Sequence, residues 1–466
     1  MGGLSSALNA GRTSLATNQK VIEIAGNNIA NINTPGYSRQ KAILSTYPSL
    51  NFGGFVIGQG VQVGSIIRDH DAFLTNEIRD KSAAYGQENA KALPLAELER
   101  LFNISGEGMS SEIDNFFDAW QELAANPGGQ TERDMVIQRG ELLAESFHST
   151  ITALDDVRHN IDETLLSKID GINADLQQVA NLNNRISTIE SVGQSANTFR
   201  DERDLLVAGL SQSIGAQSYE NKEGVVSLQL PSGEPLVQNG QAMTLEGKIV
   251  GNELQLKVII GTINRSVDTT RLGGEFKGLL EVRDQLIPEL TDKMDKLAYD
   301  LVTAVNDVHD DGSDLNGNTG VLFFNAPPSP APPAEIWEGA ANTISVALST
   351  PDQVAAGQTS APGDNTIAQM IAELSSAKVV DGTDTLVGSY SRISARVGVV
   401  AGQNELARNA NEDTMAQLQN LRDGVAGVSL EEEMISLIQY QKGFEASAKL
   451  LATVDEMMDT ILTIKR

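Results

Sequence analysis

The sequence predicts an α+β, multidomain protein: coiled-coil-like terminal helices and a long helical bundle, with a small all-β domain inserted mid-chain. Three observations carry this. Apolar residues recur every seventh position at both ends. Helical periodicity persists from 131 to 191. The stretch 214–272 switches to short apolar runs punctuated by Gly, Asn and Pro.

Residues 4–33 form the first helix. Leu8, Leu15, Ile22 and Ile29 are seven apart, and Leu4, Gly11, Asn18, Ala25 and Ile32 fill the other seam position. Half the seam is therefore small or polar. The helix runs into AGNNIANINTPGYSRQ (25–40) and stops at Thr34-Pro35-Gly36. The residue before proline avoids helical geometry, and glycine accepts a turn. Residues 43–68, with GGFVIGQGVQVGSII, read as strands or a hairpin, and 72–100 return to helix.

A loop at NPGGQ (126–130) precedes the long helix, which Thr131 and Asp134 would open as a capping box. Leu165, Ile172, Val179 and Ile186 are its seven-spaced row; Gly140 and Gly171 could interrupt it. A shorter helix occupies 197–212. VVSLQL, AMTLEG, LQLKVII and INRSV are the strands of the insertion. Helix resumes at 276–308, with Leu290, Met294, Leu297, Leu301, Val305 and Val308 on one stripe. The proline cluster at 327–333 reads as a stiff extended connector. Helices follow at 366–378 and 386–424.

In the last helix Ser429 and Glu432 make a capping box, and Glu431, Glu432 and Glu433 sit at the positive end of the helix dipole. Leu430, Leu437, Phe444, Leu451 and Met458 are seven apart, with Tyr440, Val454 and Ile461 between them; Lys465 and Arg466 close the negative end. Three domains are expected: 1–42 with 425–466 as an inner terminal-helix domain, 43–213 with 273–424 as a helical bundle carrying a short β-hairpin, and 214–272 as an outward-facing β domain.

A net charge of −28, from 62 acidic and 34 basic residues, speaks against nucleic acid and against anionic membrane surfaces as partners, because both need basic patches. Without cysteine there is no disulfide, Cys-ligated zinc or thiol nucleophile. The N-terminus has no apolar signal region and no stretch reads as a membrane span, so the chain is expected to be cytosolic or to leave the cell without a cleaved signal.

Candidate chemistry is sparse. His70, His148, His159 and His309 form no H-E-x-x-H, and all four read as solvent-exposed. DLNGN (314–318) resembles the start of a calcium loop, but glycine stands fourth and no glutamate follows at the twelfth position, so it reads as a polar turn. Asp155-Asp156 and Asp310-Asp311 read as solvated faces. No catalytic residue, cofactor site or metal site is expected.

The two terminal stripes would be ordinary core faces in a helical bundle. They can also be read as assembly surfaces. Ordering roughly 70 residues costs about 1–2 kcal/mol each, while each fully buried large aliphatic contributes about 1.5–3 kcal/mol. An isolated pair is marginal, so the termini are expected to order against neighbouring subunits.

Four stretches together resemble flagellar axial proteins of the rod/hook superfamily. The N-terminal helix with its Asn-rich turn matches through Asn27, Asn28, Asn31, Thr34, Pro35, Gly36 and Tyr37. The C-terminal LEEEMISLIQYQKGFEASAKLLATVDEMMDTILTIK matches through Tyr440, Gln441, Phe444, Ala446 and Ala448. DERDLLVAGLS (201–211) and the stretch 273–324 are similar to the hook-associated members. The central β region is shorter than in some relatives.

The resemblance implies a non-enzymatic, secreted structural component at the hook–filament junction, exported unfolded by the flagellar type III apparatus. Implied partners are other copies in a helical ring, hook protein below, the next hook-associated protein above, and an export chaperone on the C-terminal helix. Leu8, Leu15, Ile22, Ile29 and Ile32 would be the N-terminal assembly residues. Leu430, Leu437, Tyr440, Phe444, Leu451, Val454, Met458 and Ile461 would serve assembly and chaperone binding. The turn would redirect the chain from the inner helix to the strands outside it. Alternatives are another axial protein, of hook or distal rod, or a secreted adhesin or enzyme acting through residues 214–272.

Overall fold

The computed structural model describes residues 2–52, 55–102, 108–328 and 334–464. Helix α1 (Gly2–Ala30) leads into strands β1 (Gln40–Thr46), β2 (Leu50–Phe52), β3 (Phe55–Ile57) and β4 (Val61–Arg68). Helices α2 (Ala72–Phe102), α3 (Met109–Ala125), α4 (Gln130–Ser191) and α5 (Asn197–Ile214) follow. The insertion holds β5 (Gln217–Glu220), β6 (Val226–Gln229), β7 (Pro235–Gln238), β8 (Gln241–Ala242), β9 (Thr244–Val250), β10 (Glu253–Ile260) and β11 (Ile263–Ser266). Helix α6 (Gly274–Glu281) passes through a π-helical turn (Val282–Leu286) into α7 (Ile287–Asp310). Last come α8 (Ala340–Thr343), α9 (Thr366–Glu373), α10 (Leu386–Ala426) and α11 (Leu430–Ile464). The fold is α+β and multidomain, as the sequence predicts. Most of the proline cluster, and Lys465 and Arg466, lie outside the described residues.

The chain divides into two compact units. One comprises Met1–Gly86, Lys168–Gly274 and Ala410–Arg466; the other comprises Gln87–Ser167 and Glu275–Asn409. These two units are drawn differently from the three domains expected. The expected bundle segment is shared between the two units, because α2, α4 and α10 each contribute residues to both. The terminal helices and the β insertion fall together in the first unit.

In the first unit, α1 packs along α11, and the hairpin of β1 with β4 docks beside α1. Thr13 Oγ1 donates to Gln59 O at 3.1 Å and Thr17 Oγ1 to Val61 O at 3.0 Å. The insertion forms two antiparallel sheets, ordered β5-β6-β7-β8 and β11-β10-β9. Strand β10 alternates buried and exposed residues, turning Leu254, Leu256 and Val258 inward. The C-terminal half of α4 carries asparagines that substitute for a neighbouring strand. Asn173 exchanges two hydrogen bonds with the backbone of Leu245, both at 2.8 Å. Asn183 does the same with Val226, at 2.7 and 3.1 Å. The amide side chain presents the same donor and acceptor as a peptide, so these polar groups are satisfied where water is excluded.

The second unit is built on aromatic packing. Helix α3, which periodicity did not single out, brings Phe116 and Trp120 against Phe323 and Phe324, with ring centroids 5.4 to 5.7 Å apart. Helix α4 is unbroken at both glycines. A Cβ on Gly140 would stand 2.8 Å from the Phe323 ring, so the glycine makes room for that aromatic instead of ending the helix. The expected capping box at Thr131 is corrected too. The helix already begins at Gln130, and Glu132 accepts from Asn126 Nδ2 at 2.9 Å. His309 was expected in solvent, yet it is fully buried in this core. Its Nδ1 lies 2.6 Å from Val321 O and its Nε2 accepts from Ala355 N at 2.9 Å. Asp314 spends both carboxylate oxygens on Asn316 and Asn318, closing the polar turn on itself.

Candidate functional site

The site is the turn after α1 together with the helix pair it joins. Asn27 O accepts from Asn31 N at 3.1 Å and from Asn31 Nδ2 at 3.0 Å, so one residue closes the last turn of the helix with both its backbone and its side chain. Thr34 Oγ1 donates to Asn31 Oδ1 at 3.2 Å. Pro35 bars continuation of the helix, and Gly36 takes a left-handed φ of 78°.

Asn28 is the hub. Its Nδ2 donates to Gln40 O at 2.9 Å and to Glu433 Oε2 at 3.1 Å. Its Oδ1 accepts from Gln40 N at 3.0 Å and from the Tyr37 hydroxyl at 2.9 Å. Two donors and two lone pairs are all an asparagine side chain offers, so every one is used. The residue therefore ties α1, the turn, β1 and α11 in one place. Burial, then the nearby carboxylates of Asp201 and Glu433, pushes the Tyr37 hydroxyl up to about 12. It stays a neutral donor, 3.0 Å from Asn27 Oδ1 as well.

Arg39 completes the connection. Its Nε donates to Glu433 Oε1 at 2.6 Å, and its Nη1 pairs with Glu432. Burial alone would lower the guanidinium, but the two carboxylates hold it above its ordinary value. Its backbone N donates to Ala426 O at 2.8 Å, and Arg422 Nη2 donates to Gly36 O at 2.7 Å. The end of α10 thus also holds the turn. A groove of about 800 Å³ opens beside the turn, walled by Ile32, Pro35, Ile78, Leu205 and Met415.

Along the helix pair, small residues receive large ones. A Cβ on Gly11 would meet Leu451 Cδ2 at 3.0 Å, and one on Gly443 would meet Asn18 Oδ1 at 3.0 Å. Ser14 and Ser447 hydroxyls lie 2.9 Å apart. The small and polar half of the predicted seam is thus the half that approaches α11 most closely. Gly11, Val21, Ile24, Ala25 and Asn28 are buried, whereas Leu8, Leu15, Ile22 and Ile29 are half-buried at its margin, as is Ile32 in the turn.

On α11, Val454 is buried and Leu437, Tyr440, Phe444, Leu451 and Met458 are half-buried. Leu430 and Ile461 are exposed, and so are Met434, Ile435, Ile438, Leu450 and Met457. The turn residues that the sequence singles out do converge: Asn27, Asn28, Asn31, Thr34 and Tyr37 share one network around Pro35-Gly36. Sequence reasoning missed Arg39, Arg422 and Glu433. The signal for Glu433 was the acidic triplet, which reads as a dipole cap although its third member is buried. Among the described residues no cluster of His, Cys, Asp or Glu could hold a metal ion, and no helix is long and apolar enough to cross a membrane. The arrangement fixes the geometry of the turn and of the helix pair.

Comparison with known proteins agrees. Residues 95–324 match the flagellar hook-associated protein FlgK helical domain. Residues 425–464 match the flagellar basal body rod FlgEFG protein C-terminal model, and 8–37 match the flagella basal body rod protein model. Flagellar hook-associated protein 1 of Bacillus subtilis is 29% identical, over 98% of this chain and 97% of that protein. The protein of the same name from Salmonella typhimurium is 23% identical, over 99% and 100%. The flagellar hook junction protein FlgK from Burkholderia pseudomallei has the same fold, with a TM-score of 0.68 at 16% identity, over 75% of this chain and 100% of that one. Over nearly its whole length the chain is similar to flagellar hook-associated protein 1.

Proposed function

We propose that this protein is a structural component of the flagellum that forms the junction between hook and filament. It reaches the distal hook end after type III export and acts there without catalysis. The observation that carries this is the buried Asn28–Tyr37–Arg39–Glu433 network, which fixes one exit direction for the chain from the terminal helix pair. A tube needs such a fixed direction in every subunit, because small angular errors accumulate along an open helical array. The pair also leaves Leu430, Met434, Ile435, Ile438, Leu450, Met457 and Ile461 of α11 exposed, apolar side chains on more than one face of the helix that suit neighbouring copies, hook protein below and the next hook-associated protein above. These surfaces complete the secreted, extracellular assembly, and they need no nucleic acid or membrane.

A dedicated export chaperone would engage Leu437, Phe444, Leu451 and Met458 by helix-in-groove packing. Leu451 is the residue that meets Gly11, so chaperone and α1 compete for one face. Chaperone binding retained by Phe444→Asp with Leu451→Asp would remove that assignment.

The deciding experiment adds purified protein to isolated hooks that lack it, viewed by electron microscopy. Full-length protein is expected to form a cap at the distal end, and a chain truncated after residue 428 is expected to form none. Binding along the hook sides, or nowhere, by folded full-length protein would refute the junction role.

A further inference from the structure

One helical turn of α5 reaches both the assembly turn and the inserted β strands. Asp201 and Asp204 lie three residues apart and share a face; Arg203 points to the other side. On the first face, Asp201 Oδ2 accepts from the buried Ser38 N at 3.0 Å. Arg68, at the end of β4, spans the two acids, with Nη1 2.7 Å from Asp201 Oδ1 and Nη2 2.7 Å from Asp204 Oδ2. Arg79 of α2 adds a 2.8 Å bond to Asp204 Oδ1 and a 2.8 Å bond to Ser218 Oγ of β5. On the second face, Arg203 Nη1 donates to Asn183 Oδ1 at 3.0 Å and to Gly224 O at 2.6 Å. Asn183 in turn holds the backbone of Val226. Arg203 is fully buried, and Arg68 nearly so.

Ionised groups out of water are stable only when paired, and the rigid planar fork of a guanidinium fixes the geometry of the two carboxylates it bonds, where an ammonium is a flexible point charge. Among the described residues Arg68 is thus the one side chain that pairs with both Asp201 and Asp204 while Asp201 holds Ser38. Ser38 is the residue between Tyr37 and Arg39, the two side chains that connect to Asn28 and Glu433. The position of Ser38 N sets where both of them start.

We infer that the charged turn Asp201–Asp204 is a pair of separable clamps: Asp201 and Asp204, through Arg68, position the assembly turn, and Arg203 positions the inserted strands. Arg68, Asp201 and Asp204 are positioning residues for the junction site, acting through Ser38. Only the consequence for hook capping rests on the function proposed above; the clamp itself does not.

The test is residue-resolved amide hydrogen exchange on the full-length chain. Arg68→Met is expected to speed exchange at Ser38 about tenfold or more, the loss of a hydrogen bond to a charged acceptor, while Val226 is unchanged. Arg203→Met is expected to do the reverse, freeing Val226 and leaving Ser38 protected. Arg68→Lys keeps the charge and is expected to restore Ser38 protection only in part. Parallel changes at Ser38 and Val226 in both variants would mean general loosening and would overturn the inference, as would no change at either. In the hook assay, Arg68→Met is expected to lower capping about tenfold. Normal capping with Ser38 freed would overturn the positioning role. Failure of the unmodified protein to cap would refute the junction role and leave the exchange result standing.

Discussion

Arg39 Nε and Glu433 Oε1 stand 2.6 Å apart although 394 positions separate them in the chain. The contact joins the exit of the N-terminal helix pair to the first turn of the last helix. It cannot form until both ends of the chain are present, so the shape of the turn is a property of the completed protein. An N-terminal fragment would still carry the Asn27–Asn31 capping bonds, but Asn28 would lose one acceptor and Arg39 both of its carboxylates.

The first prediction separates the two glutamates that Arg39 holds. Glu433 is nearly buried, whereas the Glu432 side chain is 61% exposed. Breaking a buried pair from one side strands the partner, which costs about 3–5 kcal/mol, whereas an exposed pair contributes about 0–1 kcal/mol. Glu433→Ala is expected to destabilise the first unit by about 3 kcal/mol and Glu432→Ala by less than about 1 kcal/mol. Arg39→Ala combined with Glu433→Ala is expected to cost less than the sum of the single changes. Urea denaturation of the four proteins gives this cycle, and strict additivity would show that the pair is energetically silent.

The helix pair makes a second prediction, about size. Gly11→Ala places its methyl against the end of a half-buried leucine that can turn aside, and alanine favours a helix over glycine by about 1 kcal/mol. That change is expected to be nearly neutral. Gly11→Leu overfills the same place and is expected to cost about 1–3 kcal/mol, with Leu451→Ala restoring part of the loss. Helicity followed through thermal melting reads the order of the three variants. Equal stability for Gly11→Ala and Gly11→Leu would show that α1 and α11 do not approach each other here.

Much of this architecture was legible because helices announce themselves through period and punctuation. The boundaries at Pro35, at Gly129 and between 426 and 430 coincide with turn residues in the sequence. Helix α3 was not legible: it is short, and Phe116, Phe117 and Trp120 crowd one side without a long repeating pattern. The reading of α1 found the right helix but weighted its faces by hydrophobicity. Close approach favours small residues, so the Gly11–Asn18–Ala25 row lies nearer the partner than the leucines. Gly140 misled for the same reason, since a glycine that admits Phe323 looks in sequence like one that ends a helix. The site was legible where it is local, at Asn27 to Tyr37. Its remaining members come from distant segments, and no spacing rule links Arg39 to Glu433 or Arg422 to Gly36. His309 was unreadable as a core residue because both of its partners, Val321 O and Ala355 N, are backbone groups.

The third prediction concerns Gly36. A Cβ there would be 3.7 Å from Leu205, an ordinary contact, so space is not what excludes a side chain. The φ of 78° is. A left-handed backbone costs a non-glycine residue roughly 1–2 kcal/mol, and asparagine tolerates it better than alanine. Gly36→Ala is therefore expected to destabilise the turn by about 1–2 kcal/mol, with Gly36→Asn between it and the unmodified protein. Pro35→Ala with Gly36→Ala is expected to reduce hook capping, and unaffected assembly by that double variant would remove the redirecting role from the turn.

The last prediction is a pH dependence in the second unit. Burial, opposed by the hydrogen bond to Val321 O, lowers the His309 imidazole from 6.5 to about 4. The neutral ring is required by its bonds: Nδ1–H donates to Val321 O, so Nε2 must remain an acceptor for Ala355 N–H. Because the folded value lies below the unfolded one, the unfolded chain takes up the proton first as pH falls. Stability from the neutral ring is complete above about pH 6.5 and is lost progressively toward about pH 4, amounting to about 3 kcal/mol. His309→Gln cannot titrate and is expected to be less stable at neutral pH but to lack this component of the slope. Trp120, whose ring centroid is 6.0 Å from that of His309, supplies a local fluorescence signal for unfolding. Denaturation midpoints read at Trp120 between pH 7 and pH 4 should converge for the two proteins as the pH falls; parallel lines would mean that His309 keeps its ordinary titration in the folded chain.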